Sequence, residues 1–125
     1  MGIEGGVYAV RTILVVDDEA NLCKLYEKEL ENAGYRVIVA NDGQKAVELV
    51  ERNGIDLVVL DIRMEGQDGI ETLRQLMQQR RSLPVILNTA YSTYKMDFNT
   101  WLADAYVIKS SDLTELKDKI QELLP

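Results

Sequence analysis

The chain has no histidine. That absence removes a phosphohistidine, a histidine general base and a histidine-ligated zinc from its own chemistry. Its single cysteine, Cys23, excludes an internal disulfide and points to a reducing, cytoplasmic setting. No apolar run approaches the ~20 residues that a membrane-spanning helix needs. The start, Met1-Gly2-Ile3-Glu4-Gly5-Gly6, has neither basic residues nor an apolar stretch of signal-peptide length. It also lacks the Ser or Thr of a myristoylation signal, since Gly6 stands in that place. Positive charge is scarce: 14 Lys and Arg against 21 Asp and Glu give a net charge of −7. That balance argues against direct binding to a nucleic-acid backbone or an anionic membrane surface.

What remains describes one soluble domain. A length of 125 residues suits a single unit, and a chain of this size buries roughly two-thirds of its unfolded surface. Short apolar runs alternate with segments of helical period. Residues 1–10 read as a lead-in and 11–125 as the domain. Strand one is expected at about 11–17. A helix follows, with Leu22, Leu25, Tyr26, Glu29, Leu30 and Ala33 on its stripe and Gly34 as its stop. Strand two is expected at about 36–40. Asn41-Asp42-Gly43 then turns into a helix marked by Ala46, Val47 and Val50. Gly54 precedes strand three, 56–60. Asp68 and Glu71 form a capping box for helix three, with Ile70, Leu73, Leu76 and Met77 as its core stripe. Pro84 leads into strand four. Residues 91–104 carry few strong helix formers, so the crossing helix there is expected to be short or mobile. Tyr106-Val107-Ile108 is strand five. Asp112 and Glu115 cap helix five, with Leu113, Leu116, Ile120 and Leu123 on one face. Five such units predict an α/β fold: a doubly wound five-stranded parallel sheet with helices on both faces.

In such a sheet ligands bind beyond the carboxyl ends of the strands. Polar residues gather there: Asp17-Asp18 after strand one, Asp61 after strand three, Thr89 closing strand four and Lys109 after strand five. Glu19, next in the chain, reads as a solvated neighbour. Taken singly, each of the others has a plainer role, as a helix cap, a turn residue, a loop hydrogen bond or a solvated lysine. The conjunction argues otherwise. Two like charges ~4 Å apart cost on the order of 4 kcal/mol at an effective dielectric near 20. A carboxylate cluster with no nitrogen or sulfur donor selects Mg²⁺ or a similar hard cation. With a hydroxyl and an ammonium beside it, the cluster is equipped to hold a phosphoryl group.

These residues, in this order, resemble the receiver domain of two-component response regulators, the chemotaxis-type receiver included. The matching positions are Asp17-Asp18, Leu60-Asp61-Ile62-Arg63-Met64, Asp68-Gly69, Thr89-Ala90 and Tyr106-Val107-Ile108-Lys109, and the resemblance covers about residues 11–124. It implies a flavodoxin-like strand order, 2-1-3-4-5. It implies that Asp61 takes a phosphoryl group from a phosphohistidine on a sensor histidine kinase or phosphotransfer protein and becomes an aspartyl phosphate. Such a domain is a self-phosphorylating, autodephosphorylating acceptor in a phosphorelay, not a turnover enzyme on a separate substrate. By the same resemblance Asp18, Asp61 and the Arg63 carbonyl hold Mg²⁺ directly and Asp17 holds it through water. Lys109 and Thr89 would bind phosphoryl oxygens. Thr89 and Tyr106 would be the switch, and the face made by helix four, strand five and helix five, including Lys117 and Lys119, would dock a downstream protein. Tyr106 also has a plainer reading as a static strand tyrosine.

Two positions depart from the family pattern. Glu65 replaces the usual proline, and Lys109 is followed by Ser110 where the family has proline in a cis bond. A cis bond before Ser110 would cost ~2.5–4 kcal/mol, so the isomer there is open and the position of Lys109 with it. Arg63 and Tyr91 flank the acceptor and are expected to tune phosphate lifetime. Pro125 follows helix five with no output domain, as in either a stand-alone receiver or a piece of a longer protein. The main alternative is a receiver-like adaptor that works without phosphorylation. A flavin carrier fits poorly, because Asp17-Asp18-Glu19 would repel a flavin phosphate. A haloacid-dehalogenase-like phosphatase wants two aspartates one residue apart, and these are adjacent.

Overall fold

Thr12–Val16 is β1, and all five of its side chains are buried. A computed structural model describes residues 10–64, 67–90 and 102–125, with Gln67 and Asp68 as backbone only. Burial on both faces is what a central strand rich in β-branched residues predicts. Its neighbours are β2 (Arg36–Ala40) and β3 (Leu57–Leu60), both parallel to it. β6 (Val85–Thr89) pairs with β3, and β7 (Ala105–Ile108) closes the far edge. The order is β2-β1-β3-β6-β7. This is the expected five-strand arrangement once a small extra pair is set aside. That pair, β4 (Arg63–Met64) and β5 (Gln67–Asp68), is antiparallel and has no counterpart among the expected strands. Two residues a side carry no readable periodicity.

Alternation along the strands sends side chains to two separate cores. Leu14, Val16, Val58, Leu60, Val85 and Leu87 pack under α2 (Gly43–Arg52) and α3 (Gly69–Gln79). Ile13, Val15, Leu57, Val59, Ile86 and Val107 pack under α1 (Ala20–Asn32) and α4 (Thr114–Leu123). Each fully buried aliphatic side chain contributes about 1.5–3 kcal/mol of transfer energy.

Helix ends follow local chemistry. α1 stops where expected: Gly34 has φ 102, its N–H reaches the Glu31 carbonyl, and the Tyr35 N–H reaches the Leu30 carbonyl. Those two bonds make a Schellman cap, which needs a residue without a Cβ penalty at this φ. Ala33 is the exposed cap residue, not part of the core stripe, and Cys23 takes the buried place instead. Asp42 caps α2 by accepting the Lys45 N–H at 2.7 Å. α4 begins later than its capping box predicts. Asp112 accepts from both the N–H and the hydroxyl of Thr114, so it closes a tight turn ahead of the helix. Most of the crossing segment expected at 91–104 lies outside the described residues, as does the side chain of Asp68.

The amino-terminal rim of the sheet is fastened by a repeated device. Asp56 gives its N–H to the Thr12 carbonyl (2.8 Å) and accepts the Thr12 N–H on its carboxylate (2.7 Å). Asp104 does the same to Val85, at 2.8 Å for each bond. Among the described residues no helix is long and apolar enough to cross a membrane.

Candidate functional site

The ladders run one residue past the strands at the carboxyl rim. Asp17 N–H bonds the Ala40 carbonyl (3.1 Å), Asp61 N–H the Val16 carbonyl (3.0 Å) and Lys109 N–H the Thr89 carbonyl (2.8 Å). Three functional side chains therefore leave a backbone that is already fixed. Asp17, Asp18 and Asp61 each bring a carboxylate oxygen within 4.8 Å of the others. Asp17 and Asp61 are buried and Asp18 is exposed. Asp18 faces a cleft of about 410 Å³ between α1 and the start of α2, lined also by Cys23, Lys24, Asn41 and Lys45.

Lys109 is the cation in this cluster. Its ammonium lies 2.8 Å from Asp17 Oδ2, 3.0 Å from Asp61 Oδ2 and 3.0 Å from Glu19 Oε1. Asp17 Oδ1 accepts the Glu19 N–H at 2.9 Å, and Asp61 Oδ1 accepts the Arg63 N–H at 3.3 Å. With Asp18, four carboxylates gather about one ammonium, and the excess shows in the acidities. Burial pushes the Asp61 carboxyl above its ordinary value against the pull of Lys109, and Asp17 adds to the rise. Burial opposes the Lys109 charge, yet the three carboxylates bonded to it outweigh burial and hold the ammonium above the ordinary lysine range. Among the described residues no peptide bond is cis, so Lys109–Ser110 is trans. Lys109 reaches Asp61 with that bond trans, which closes the question the missing proline raised.

A profile of the response regulator receiver domain matches residues 13–121. The chain belongs to that family.

Relatives agree. The receiver is 40% identical over 114 residues to the transcriptional regulatory protein ZraR of Klebsiella oxytoca, covering 90% of this chain and 26% of that protein. It is 36% identical over 119 residues to the alkaline phosphatase synthesis regulator PhoP of Bacillus subtilis, covering 91% of this chain and 48% of that one. The chain therefore spans a quarter to a half of the length of these curated relatives. Among solved structures, the response regulator TrrA of Thermotoga maritima in complex with Mg²⁺-BeF superposes with a TM-score of 0.88 at 40% identity, covering 91% of this chain and 99% of that one. TrrA bound to the histidine kinase ThkA gives a TM-score of 0.87, also at 40% identity, covering 93% of this chain and all of that one (100%).

The receiver's other expected residues lie at this rim, save Tyr106, which is the second residue of β7. Thr89 is fully buried at the end of β6, with Ile108 as its ladder partner. Tyr106 is half-buried beside Leu87 and packs on the α2–α3 core. Arg63 has an exposed side chain on β4, and its backbone N–H faces Asp61. Gly69 donates its N–H to the Ile62 carbonyl at 2.7 Å, which seats α3 directly on the loop that follows Asp61.

Three side chains take places that the sequence does not announce. Glu19 reads as solvated and instead holds Lys109. Asn88 is the next-to-last residue of β6, and its buried amide donates to the Tyr26 hydroxyl at 2.6 Å, joining β6 to α1. A polar residue inside that run is the available signal. Lys117 is expected on a docking face, yet it pairs with Glu29 of α1 at 2.8 Å.

Cys23 is a structural thiol of the receiver. It is buried and donates to the Asp17 carbonyl at 3.3 Å. Burial, with Asp17 beside it, pushes its pKa from 9.0 up to about 11. Burial raises the Tyr26 phenol too, against the bond from Asn88. Both groups hold their protons more tightly folded than unfolded. The Cys23 contribution is complete below pH 9 and is lost as pH rises toward about 11, and that of Tyr26 is complete below pH 10 and lost above it. Stability is expected to fall by on the order of 2 kcal/mol across that window. Denaturant midpoints on either side of the window check this, and a flat profile refutes it. Near neutral pH the folded chain should resist thiol alkylation that the denatured chain accepts.

Proposed function

We propose that residues 11–125 are a phosphoacceptor module in which Asp61 takes a phosphoryl group from a phosphohistidine of a sensor histidine kinase or phosphotransfer protein, with residues 1–10 as a lead-in. The observation that carries this is the buried Asp61 carboxylate held 3.0 Å from the Lys109 ammonium, beside two more carboxylates within 4.8 Å. A carboxylate oxygen of Asp61 forms the new P–O bond as the P–N bond breaks, and the leaving imidazole keeps the electron pair. Lys109 binds a phosphoryl oxygen as charge spreads over the group. Thr89 offers its hydroxyl to another, drawing on the end of β6.

The donor set fits a hard divalent cation: oxygen ligands only, negatively charged and converging, with the one nearby sulfur turned to a backbone carbonyl. Asp18, Asp61 and the Arg63 carbonyl would hold Mg²⁺ directly, with Asp17 reaching it through water. When bound, Mg²⁺ supplies charge neutralisation at the phosphoryl oxygens. The similar TrrA structure with Mg²⁺-BeF and the one with ThkA support both the metal and the kinase partner.

The output is a change of surface. Phosphate adds roughly −1.5 to −2 charges and three acceptors at Asp61. Movement of Thr89 toward it frees space beside Tyr106, whose rotation alters the face formed by β7 and α4; the expected helix four of that face lies outside the described residues. That face is the docking site for a downstream protein in the cytoplasm.

The deciding experiment is intact mass after incubation with acetyl phosphate and Mg²⁺. One phosphoryl adduct is expected, absent from Asp61→Asn and from metal-free samples. An adduct that survives Asp61→Asn moves the acceptor elsewhere. No adduct, even with a cognate kinase, leaves a phosphorylation-independent adaptor.

A further inference from the structure

Glu19 holds the N-cap position of α1, yet its side chain makes no cap hydrogen bond. Short polar side chains are favoured there because they reach the first free helix N–H groups. A negative charge near a helix start is favourable in itself. That accounts for the charge and not for its direction, which is toward Lys109 at 3.0 Å, 90 residues along the chain. The three acceptors of Lys109 differ in kind: the side chains of Asp17 and Asp61 are 2% and 4% exposed, that of Glu19 64%.

An ammonium has three N–H groups, and Lys109 has three carboxylate acceptors, one for each. A phosphoryl oxygen must displace one of them. Asp17 is buried and tied down by the Glu19 N–H as well. Glu19 carries the contact on the solvent side, from which a phosphodonor arrives. We infer that Glu19 is a positioning residue that restrains Lys109, occupying the ammonium N–H that an incoming phosphoryl oxygen takes. The inference rests on the phosphoacceptor reading of Asp61. Glu19 touches no reacting atom and acts through Lys109, so its effect is on how fast the site accepts a phosphoryl group.

Two variants separate the restraint from the mere presence of charge. Glu19→Ala removes both. Glu19→Asp keeps the charge and shortens the reach by one methylene. In the full chain, the rate of adduct formation with acetyl phosphate and Mg²⁺ is expected to rise about two- to five-fold in both variants, the range that a partly exposed ion pair supports. Nitrogen NMR relaxation of the Lys109 ammonium is expected to show greater mobility in both. An acceleration confined to Glu19→Ala overturns the restraint and leaves only charge at the mouth of the site. So does an unchanged or slower rate in both, or an ammonium no more mobile than in the parent. If none of the three chains takes a phosphoryl group, the phosphoacceptor reading fails. The relaxation measurement then decides the restraint alone: greater mobility upholds it, unchanged mobility overturns it.

Discussion

Replacing Lys109 with methionine is expected to lower the unfolding free energy by about 3–5 kcal/mol in metal-free buffer, the usual cost of removing one partner from a buried ion pair. Methionine keeps most of the length and apolar stem, so lost packing is small. What goes is the ammonium that Asp17, Asp61 and Glu19 share. Asp17 and Asp61 then face each other in a buried site without that cation between them. The Asp61 carboxyl, already raised by burial, loses the pull of Lys109 and must rise further, so the folded variant binds a proton that the unfolded chain does not. The loss is therefore largest at neutral pH and shrinks as pH falls through the raised value. Millimolar Mg²⁺ should restore more stability to the variant than to the parent, because it supplies the missing positive charge. Denaturant titrations near pH 5 and pH 8, with and without Mg²⁺, check all three statements. A variant as stable as the parent, or a loss that ignores both pH and Mg²⁺, would show that the carboxylates are not held by Lys109.

Gly69→Ala is the second large effect. A Cβ built on Gly69 falls onto the Asp61 carbonyl oxygen, 2.6 Å from Ile62 Cα and 2.9 Å from the Ile62 carbonyl oxygen. All three are backbone atoms, so no flexible side chain can swing aside. Relief requires either α3 or the acceptor loop to move. The expected cost is about 3 kcal/mol, the upper part of the range for overpacking, together with a large loss of phosphoryl uptake because Asp61 is displaced. Two other glycines calibrate this. A methyl group on Gly54 would meet nothing within 4 Å, and the backbone there is ordinary, so Gly54→Ala should shift stability by no more than about 0.5 kcal/mol. Gly34 also has open space but sits at φ +102, so Gly34→Ala should cost roughly 1 kcal/mol through backbone strain alone. Denaturation midpoints and intact mass after acetyl phosphate treatment rank the three. Normal uptake by Gly69→Ala would break the link between that close approach and the acceptor.

The parts of this structure that local chemistry controls are legible from residues alone. Buried parallel strands write themselves as apolar runs, and their ends mark the rim where Asp17, Asp61 and Lys109 meet. Gly34 announces the end of α1 because its backbone conformation penalises a side chain. What stays hidden depends on distance along the chain. Glu19 finds Lys109 across 90 residues, and Asn88 finds Tyr26 across 62. Neither pairing leaves a periodic trace. The β4–β5 pair is too short for alternation to register. Cys23 reads as a compartment marker, and in the fold it is a core residue bonded to the backbone of the site. The start of α4 slips because Asp112 spends its carboxylate on Thr114 ahead of the helix.

β6 is anchored unequally. At Val85 Asp104 grips it with two bonds, whereas at Thr89, ~13 Å away at the usual rise per residue, it meets the phosphoacceptor rim. Past Leu87 the pairing with β3 ends, so Asn88 and Thr89 are held in the sheet by β7 alone. Any displacement drawn from Thr89 is therefore close to zero at Val85 and grows along the strand. β7 shares the pivot, since Ala105 follows Asp104 directly. Tyr106 lies next to that fixed point and Lys109 lies at the far end of the arm. Lys109, its N–H bonded to Thr89, keeps its place relative to that residue, while the Tyr106 backbone stays nearly where it is. The response proposed for Tyr106 then has one mechanical form: rotation about its own side-chain bonds.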